Sequence, residues 1–162
     1  MRWMRSDGVE TLDATALDPV RIFTADLELR GFVAAAGQRV TDMLLRGQDL
    51  AFLPAGAAVS PENWISVSPA DILFVEPPPL AQRASWQERR NLHRVAVRLP
   101  GHQVMGTVHL PPGYEVGADL AASHSFLPVT SAVVTMPGTA ETEQLDVAIV
   151  NLDNSSEARI IG

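Results

Sequence analysis

The chain has 162 residues, enough for one ordinary domain or two small ones, and its 46% hydrophobic and 19% charged content excludes a disordered chain. Cysteine and lysine are both absent, and all 12 basic residues are arginine, which excludes disulfides, thiolate metal sites, cysteine nucleophiles, Schiff-base lysines and P-loops. The net charge of −7 opposes the basic field that nucleic-acid binders use, and the longest apolar run is far shorter than the ~20 residues of a membrane-spanning helix. The N-terminus, MRWMRSDGVE, lacks the apolar centre of a secretory signal, so the chain reads as soluble and cytoplasmic.

In chain order, residues 1–19 have little periodicity and read as an irregular arm closed by Pro19. Residues 20–77 read as a first β module. Arg21 to Thr24 is a short β-prone run, and Leu27 to Val33 alternates, with Leu27, Leu29, Gly31 and Val33 on one face. Ala25-Asp26 between them suits a tight turn. Thr41 or Asp42 is placed to cap one or two helical turns carrying Met43, Leu44 and Leu45. Phe52-Leu53-Pro54 then leads into an expected strand at Ala57 to Ser60, a loop at Pro61 to Asn63, and closing strands at Trp64 to Val67 and Ile72 to Val75.

Residues 78–92 read as a proline-rich linker followed by a short helix, Ala84 to Leu92, capped by Ser85. Residues 93–162 read as a second β module. Its expected strands are Arg94 to Leu99, Gln103 to Leu110, Ser131 to Met136, Asp146 to Leu152 and Ala158 to Ile161. A second short helix is expected between Tyr114 and Ala121.

Laid side by side, Leu27 to Pro54 and Gln103 to Pro128 are two writings of one pattern. Gly31 matches Gly106, Val33 matches Val108, Val40 matches Val116 and Leu44 matches Leu120. Phe52, Leu53 and Pro54 match Phe126, Leu127 and Pro128. The expected architecture is therefore mainly β: two tandem five-stranded, barrel-like modules related by internal duplication, with short helices. A unit of about 60 residues buries too little surface to be comfortable alone, so packing against its copy or against other chains is expected.

Two resemblances follow from these residues. The stretch Arg21 to Val75, with its strand glycine, Arg39-x-Thr41-Asp42-x-Leu44 and Phe52-Leu53-Pro54, resembles an uncharacterised bacterial domain family that occurs in tandem. That likeness brings no activity. Gly31 within a strand pair, followed by Asp42 and apolar residues, also resembles the first motif of Sm-like proteins. Sm-likeness implies a bent five-stranded sheet, ring assembly through edge strands and often RNA binding. The chain departs from that motif where Leu44 and Leu45 follow Met43 in place of asparagine. The arginine–glycine pair of the closing strands is replaced by Trp64-Ile65-Ser66-Val67-Ser68.

All four histidines lie in the second module. His93, His102, His109 and His124 are spaced too widely for a compact metal motif, so His102, His109 and His124 are only weak candidates for ligands and no metal or cofactor is expected. On a continuous strand, His102 and His109 would face opposite sides. The carboxylate pairs Asp26 with Glu28 and Glu141 with Glu143 read as exposed loop acids, and no nucleophile elbow is present. Trp64 and Trp86, with the Arg89–Arg90 pair of the linker helix, are candidate interaction residues, because aromatics and arginine are enriched at interface hot spots. The expected function is a non-catalytic assembly or adaptor role through protein–protein contact, including self-association into a homo-oligomer. An Sm-like ligand- or RNA-binding protein is the alternative. A metal-binding protein or enzyme using the second module's histidines comes third.

Overall fold

A computed structural model describes residues 17–35, 38–78, 91–136, 138–139 and 141–162. The chain divides into two compact units, Met1–Pro78 and Pro79–Gly162. Among the described residues there are ten strands, all paired antiparallel, and one α-helix. No described helix is long and apolar enough to cross a membrane.

The first unit contains β1 (Leu17–Thr24), β2 (Glu28–Ala34), α1 (Val40–Leu45), β3 (Leu50–Pro54), β4 (Ile65–Val67) and β5 (Ile72–Glu76). Its strands lie in the order β5-β1-β2-β3-β4. β1 and β2 form a hairpin through Ala25-Asp26. Thr24 donates its backbone N–H to the Leu27 carbonyl at 2.9 Å, and its hydroxyl accepts from the Leu27 N–H at 3.1 Å. β1 begins at Leu17, so the expected arm gives up its last three residues to the sheet. Pro19 lies beyond the last β1–β5 pair, Arg21 with Glu76, where a strand can carry a residue without an N–H.

α1 starts at Val40, earlier than a cap at Thr41 or Asp42 would place it. Arg39 is the N-cap and makes no side-chain cap bond. Asp42 instead sits in the first turn, where the helix dipole favours negative charge. Val40, Met43 and Leu44 fall on one face at helical spacing and are buried. The helix stops at Gly47, whose φ of +73° turns the chain left-handed. There the Gly47 N–H bonds the Leu44 carbonyl and the Gln48 N–H bonds the Met43 carbonyl, satisfying two terminal acceptors.

Phe52-Leu53-Pro54 does not lead into a strand; it is β3. Ala57 to Ser60 turns away, with the Ala57 N–H bonded to the Pro54 carbonyl at 3.1 Å. A 3-10 turn at Pro61–Asn63 precedes β4, and another at Pro69–Asp71 precedes β5. Every residue from Ile72 to Val75 is buried.

The second unit contains β6 (Asn91–Leu99), β7 (His102–Leu110), β8 (Phe126–Thr135), β9 (Thr142–Asn151) and β10 (Glu157–Ile160), in the order β10-β6-β7-β8-β9. β6 takes Asn91 and Leu92 from the end of the expected linker helix; the rest of that helix, with Trp86, Arg89 and Arg90, lies outside the described residues. β6 and β7 join through Pro100-Gly101, the same two-residue connection as in the first hairpin. β7 alternates throughout, burying His102, Val104, Gly106, Val108 and Leu110. No helix forms between Tyr114 and Ala121. That segment is held to β10 instead: the Gly117 N–H bonds the Ile160 carbonyl at 2.7 Å, the Leu120 N–H the Ala158 carbonyl at 2.9 Å, and the Ile160 N–H the Ala118 carbonyl at 3.2 Å. Leu120 is fully buried like Leu44, whereas Val116 is 70% exposed although its sequence match Val40 is buried.

Gly31 and Gly106 each sit where backbone crosses closely. A β-carbon on Gly31 would overlap the Leu53 carbonyl oxygen and lie 2.8 Å from Phe52 Cζ. On Gly106 it would lie 2.5 Å from Val129 Cγ1 and 2.8 Å from the Thr130 oxygen. The registers around them differ. Gly31 pairs with Pro54, but the β7–β8 ladder shifts between Met105 and Thr107, opposite Ser131 with its φ of +49°. Phe126, Leu127 and Pro128 therefore pair with Asn151, Val150 and Ile149 of β9, beyond the last β7–β8 pair.

Overpacking of this kind costs about 1–3 kcal/mol. Gly31→Ala and Gly106→Ala should each lower the unfolding free energy by that amount, read in urea titration as a lower midpoint, and Gly31→Asn should be no better. Gly47 has open space around it, so Gly47→Asn, which tolerates the left-handed region, should stay near wild type.

Candidate functional site

The histidines do not converge. His102 and His109 lie on opposite faces of β7, and His102 is buried with Nδ1 3.1 Å from the Pro100 carbonyl oxygen. His93, on β6, is half-buried. His124 precedes β8, with Nδ1 3.0 Å from the Ser123 hydroxyl and its ring centroid 6.1 Å from that of Tyr114. Among the described residues, no group of three or more His, Asp or Glu side chains is disposed to hold a metal ion.

Glu28 and Glu76 are engaged in ion pairs. Arg21 bridges Glu28 (Nη1 to Oε2, 3.1 Å) and Glu76 (Nε to Oε1, 2.5 Å), and Arg30 Nε reaches the same Glu28 oxygen at 2.6 Å. This ladder of alternating sign crosses β5, β1 and β2. Its central guanidinium lies 5.1 Å from the Phe23 ring, which stacks on Phe74 at 4.2 Å between centroids. Such an arrangement balances charge over an aromatic pair. Glu141 closes the β8–β9 turn, its N–H bonded to the Thr139 hydroxyl and its carbonyl to the Met136 N–H.

Of the repeat-motif side chains only the large apolar ones lie in the core; Pro54 is half-buried and Pro128 exposed. Leu44, Phe52, Leu120 and Phe126 are buried, while Asp42 is exposed, 3.9 Å from Arg39. The surface with chemistry to offer is the edge at β4. This strand pairs with β3 through Ile65, Ser66 and Val67, and no other described strand borders it. Ile65 is 46% exposed and Val59, just upstream, 42% exposed; Trp64 between them is half-buried. Sequence reasoning singled out Trp64 but missed Val59 and Ile65, because it assigned Val59 to a strand. In the second unit, the outer strand β10 is the opposite case: the segment Gly117 to Leu120 runs along it and takes up its backbone groups.

Comparison of the chain with protein-family models, curated proteins and solved structures returns no match.

Beside the open edge, the fully exposed Glu62 carboxyl is held below the ordinary glutamate range, first by its own backbone N–H and then by the Ser60 hydroxyl. A depressed folded-state pKa adds stability above the unfolded value that is lost as pH falls through the folded one. Glu62→Gln should therefore slightly lower stability at neutral pH and flatten the fall in urea midpoint on acidification below about pH 4.5, the ordinary value.

Proposed function

We propose that this is a non-catalytic assembly or adaptor protein, built from two copies of one small five-stranded module and acting through protein–protein association at the β4 edge. Several features support duplication. Each unit orders its strands with the fifth beside the first, then the second, third and fourth. Each joins its first two strands by a two-residue turn and carries a glycine at a close crossing in its second strand. Each enters its last strand through a 3-10 turn capped by a side chain: Ser68 accepts from the Ala70 N–H, and Asn151 from the Asp153 N–H. Five strands per unit also agree with the sheet implied by the Sm-like resemblance.

The observation that carries the association is the contrast between the outer strands. β10 is closed from within the chain, whereas β4 presents an edge flanked by exposed Val59 and Ile65. Unpaired strand groups are a template for another chain. With three residues, β4 offers few hydrogen bonds, so the neighbouring apolar side chains must supply much of the affinity.

Light scattering after size exclusion tests this reading on the untagged protein. A mass above that of one 17.4 kDa chain, falling on dilution, is expected. Ile65→Lys, at an exposed site where substitution shifts stability by about 0.5 kcal/mol or less, should return the protein to monomer. A wild type that stays monomeric throughout the micromolar range would sink the proposal as self-assembly.

A further inference from the structure

The second unit is acidic overall, yet its three described arginines, Arg94, Arg98 and Arg159, gather on one face of its sheet. On β6 the inward residues Val95, Val97 and Leu99 are buried, which turns Arg94, Ala96 and Arg98 outward. On β10, Ala158 and Ile160 are buried, which turns Glu157 and Arg159 outward. Register brings them together: Arg98 pairs with Glu157, and Ala96 pairs with Arg159. Arg159 thus sits level with the midpoint between Arg94 and Arg98, one strand across. The adjoining outward residues of β7 are Gln103, Met105, Thr107 and His109, none of them acidic.

Glu157 is the one carboxylate on this face of β10, β6 and β7. It is shared, 2.8 Å from Arg159 Nε and 3.9 Å from Arg98 Nη1. Arg159 also donates to the Gly117 carbonyl at 3.1 Å, which fixes its guanidinium. Arg94 is exposed and has no ion-pair partner among the described residues. Asp119, exposed on the segment that runs along β10, pairs with Arg159 across a β-bridge, so the patch keeps one positive charge in excess, on sheet strands rather than on loops.

We infer that this arginine face is a docking surface for an extended, carboxylate-rich segment of a partner protein. Arg94 and Arg98 are separated by about 13 Å along the strand, with Arg159 level with the midpoint. Alternate side chains of an extended peptide recur every ~6.6 Å, so an acid-x-acid-x-acid segment running along β6 meets all three guanidiniums. Exposed Leu92 lies in line with Arg94 on the same face and offers an apolar contact at one end. A single-stranded nucleic acid fits less well. β6, β7 and β10 carry no Phe, Tyr or Trp on which bases could stack, and the chain's net charge of −7 repels a long polyanion. This surface is distinct from the β4 edge and does not rest on it.

The test is binding of fluorescently labelled poly-L-glutamate to the full-length protein at low ionic strength, with poly(U) RNA in parallel. Saturable binding of poly-L-glutamate that weakens with salt is expected. Arg94→Gln combined with Arg98→Gln should weaken it roughly fivefold or more. Glu157→Gln should tighten it, because two guanidiniums lose their internal competitor. Arg30→Gln, which removes one positive charge from the first unit, should leave it unchanged. The proposal is overturned if wild type does not bind poly-L-glutamate, if Arg30→Gln weakens binding as much as the double variant, or if poly(U) binds more tightly through the same arginines.

Discussion

At Gly31 the Leu53 carbonyl occupies the space a side chain would need, and at Gly106 the Thr130 carbonyl and Val129 do the same. Sheet strands ordinarily keep about 4.8 Å between backbones, with side chains standing off each face. Dropping the side chain at one inward position lets the second strand of each unit close over the third. The core forms around these crossings. Val33 and Phe52 pair next to Gly31 and are both buried, and Val104, Val108, Val129 and Val134 surround Gly106 with little or no exposure. In the second unit the crossing is also where the β7–β8 register slips, with Ser131 pushed to positive φ. A turn or a charge elsewhere could change without moving these strands; a methyl group here could not be accommodated.

Polar groups on this frame are arranged by neutralisation more than by chemistry. The Arg21, Glu28, Glu76 and Arg30 ladder, in which the Arg21 side chain is only 14% exposed, ties β5, β1 and β2 together on one face of the sheet. What the surface does express is asymmetry. Among the described residues, Gly117 to Leu120 seals the β10 edge while nothing borders β4 beyond β3, and Arg94, Arg98 and Arg159 gather on one face although acids outnumber them.

Much of this was legible in the sequence where a period was strict. Alternation over Leu27 to Val33 and over Gln103 to Leu110 marked β2 and β7, with the inward face correct except at Leu27, which precedes β2 and is 55% exposed, and Pro100-Gly101 marked a hairpin. Where the pattern was apolar but aperiodic, it misled. Ala57 to Ser60 has strand-like composition, yet the turn after Pro54 takes it off the sheet. Tyr114 to Ala121 matched α1 in sequence, but its backbone finds partners on β10, a long-range competitor that no local propensity reveals. The Phe-Leu-Pro match was real as sequence and different as register, because a bulge at Ser131 moves β8 relative to Gly106. The arginine face was illegible for a similar reason: Arg98 and Glu157 meet only through pairing of strands about sixty residues apart.

Amide hydrogen exchange measured at two protein concentrations tests the central claim, an edge sealed at β10 and open at β4, most directly. The account predicts slow exchange along β10 and at Gly117 and Leu120 at both concentrations. It predicts that amides of residues 65–67 pointing away from β3 exchange rapidly in dilute protein and slow on concentration. Fast exchange along β10, or protection of those β4 amides at every concentration, would contradict it.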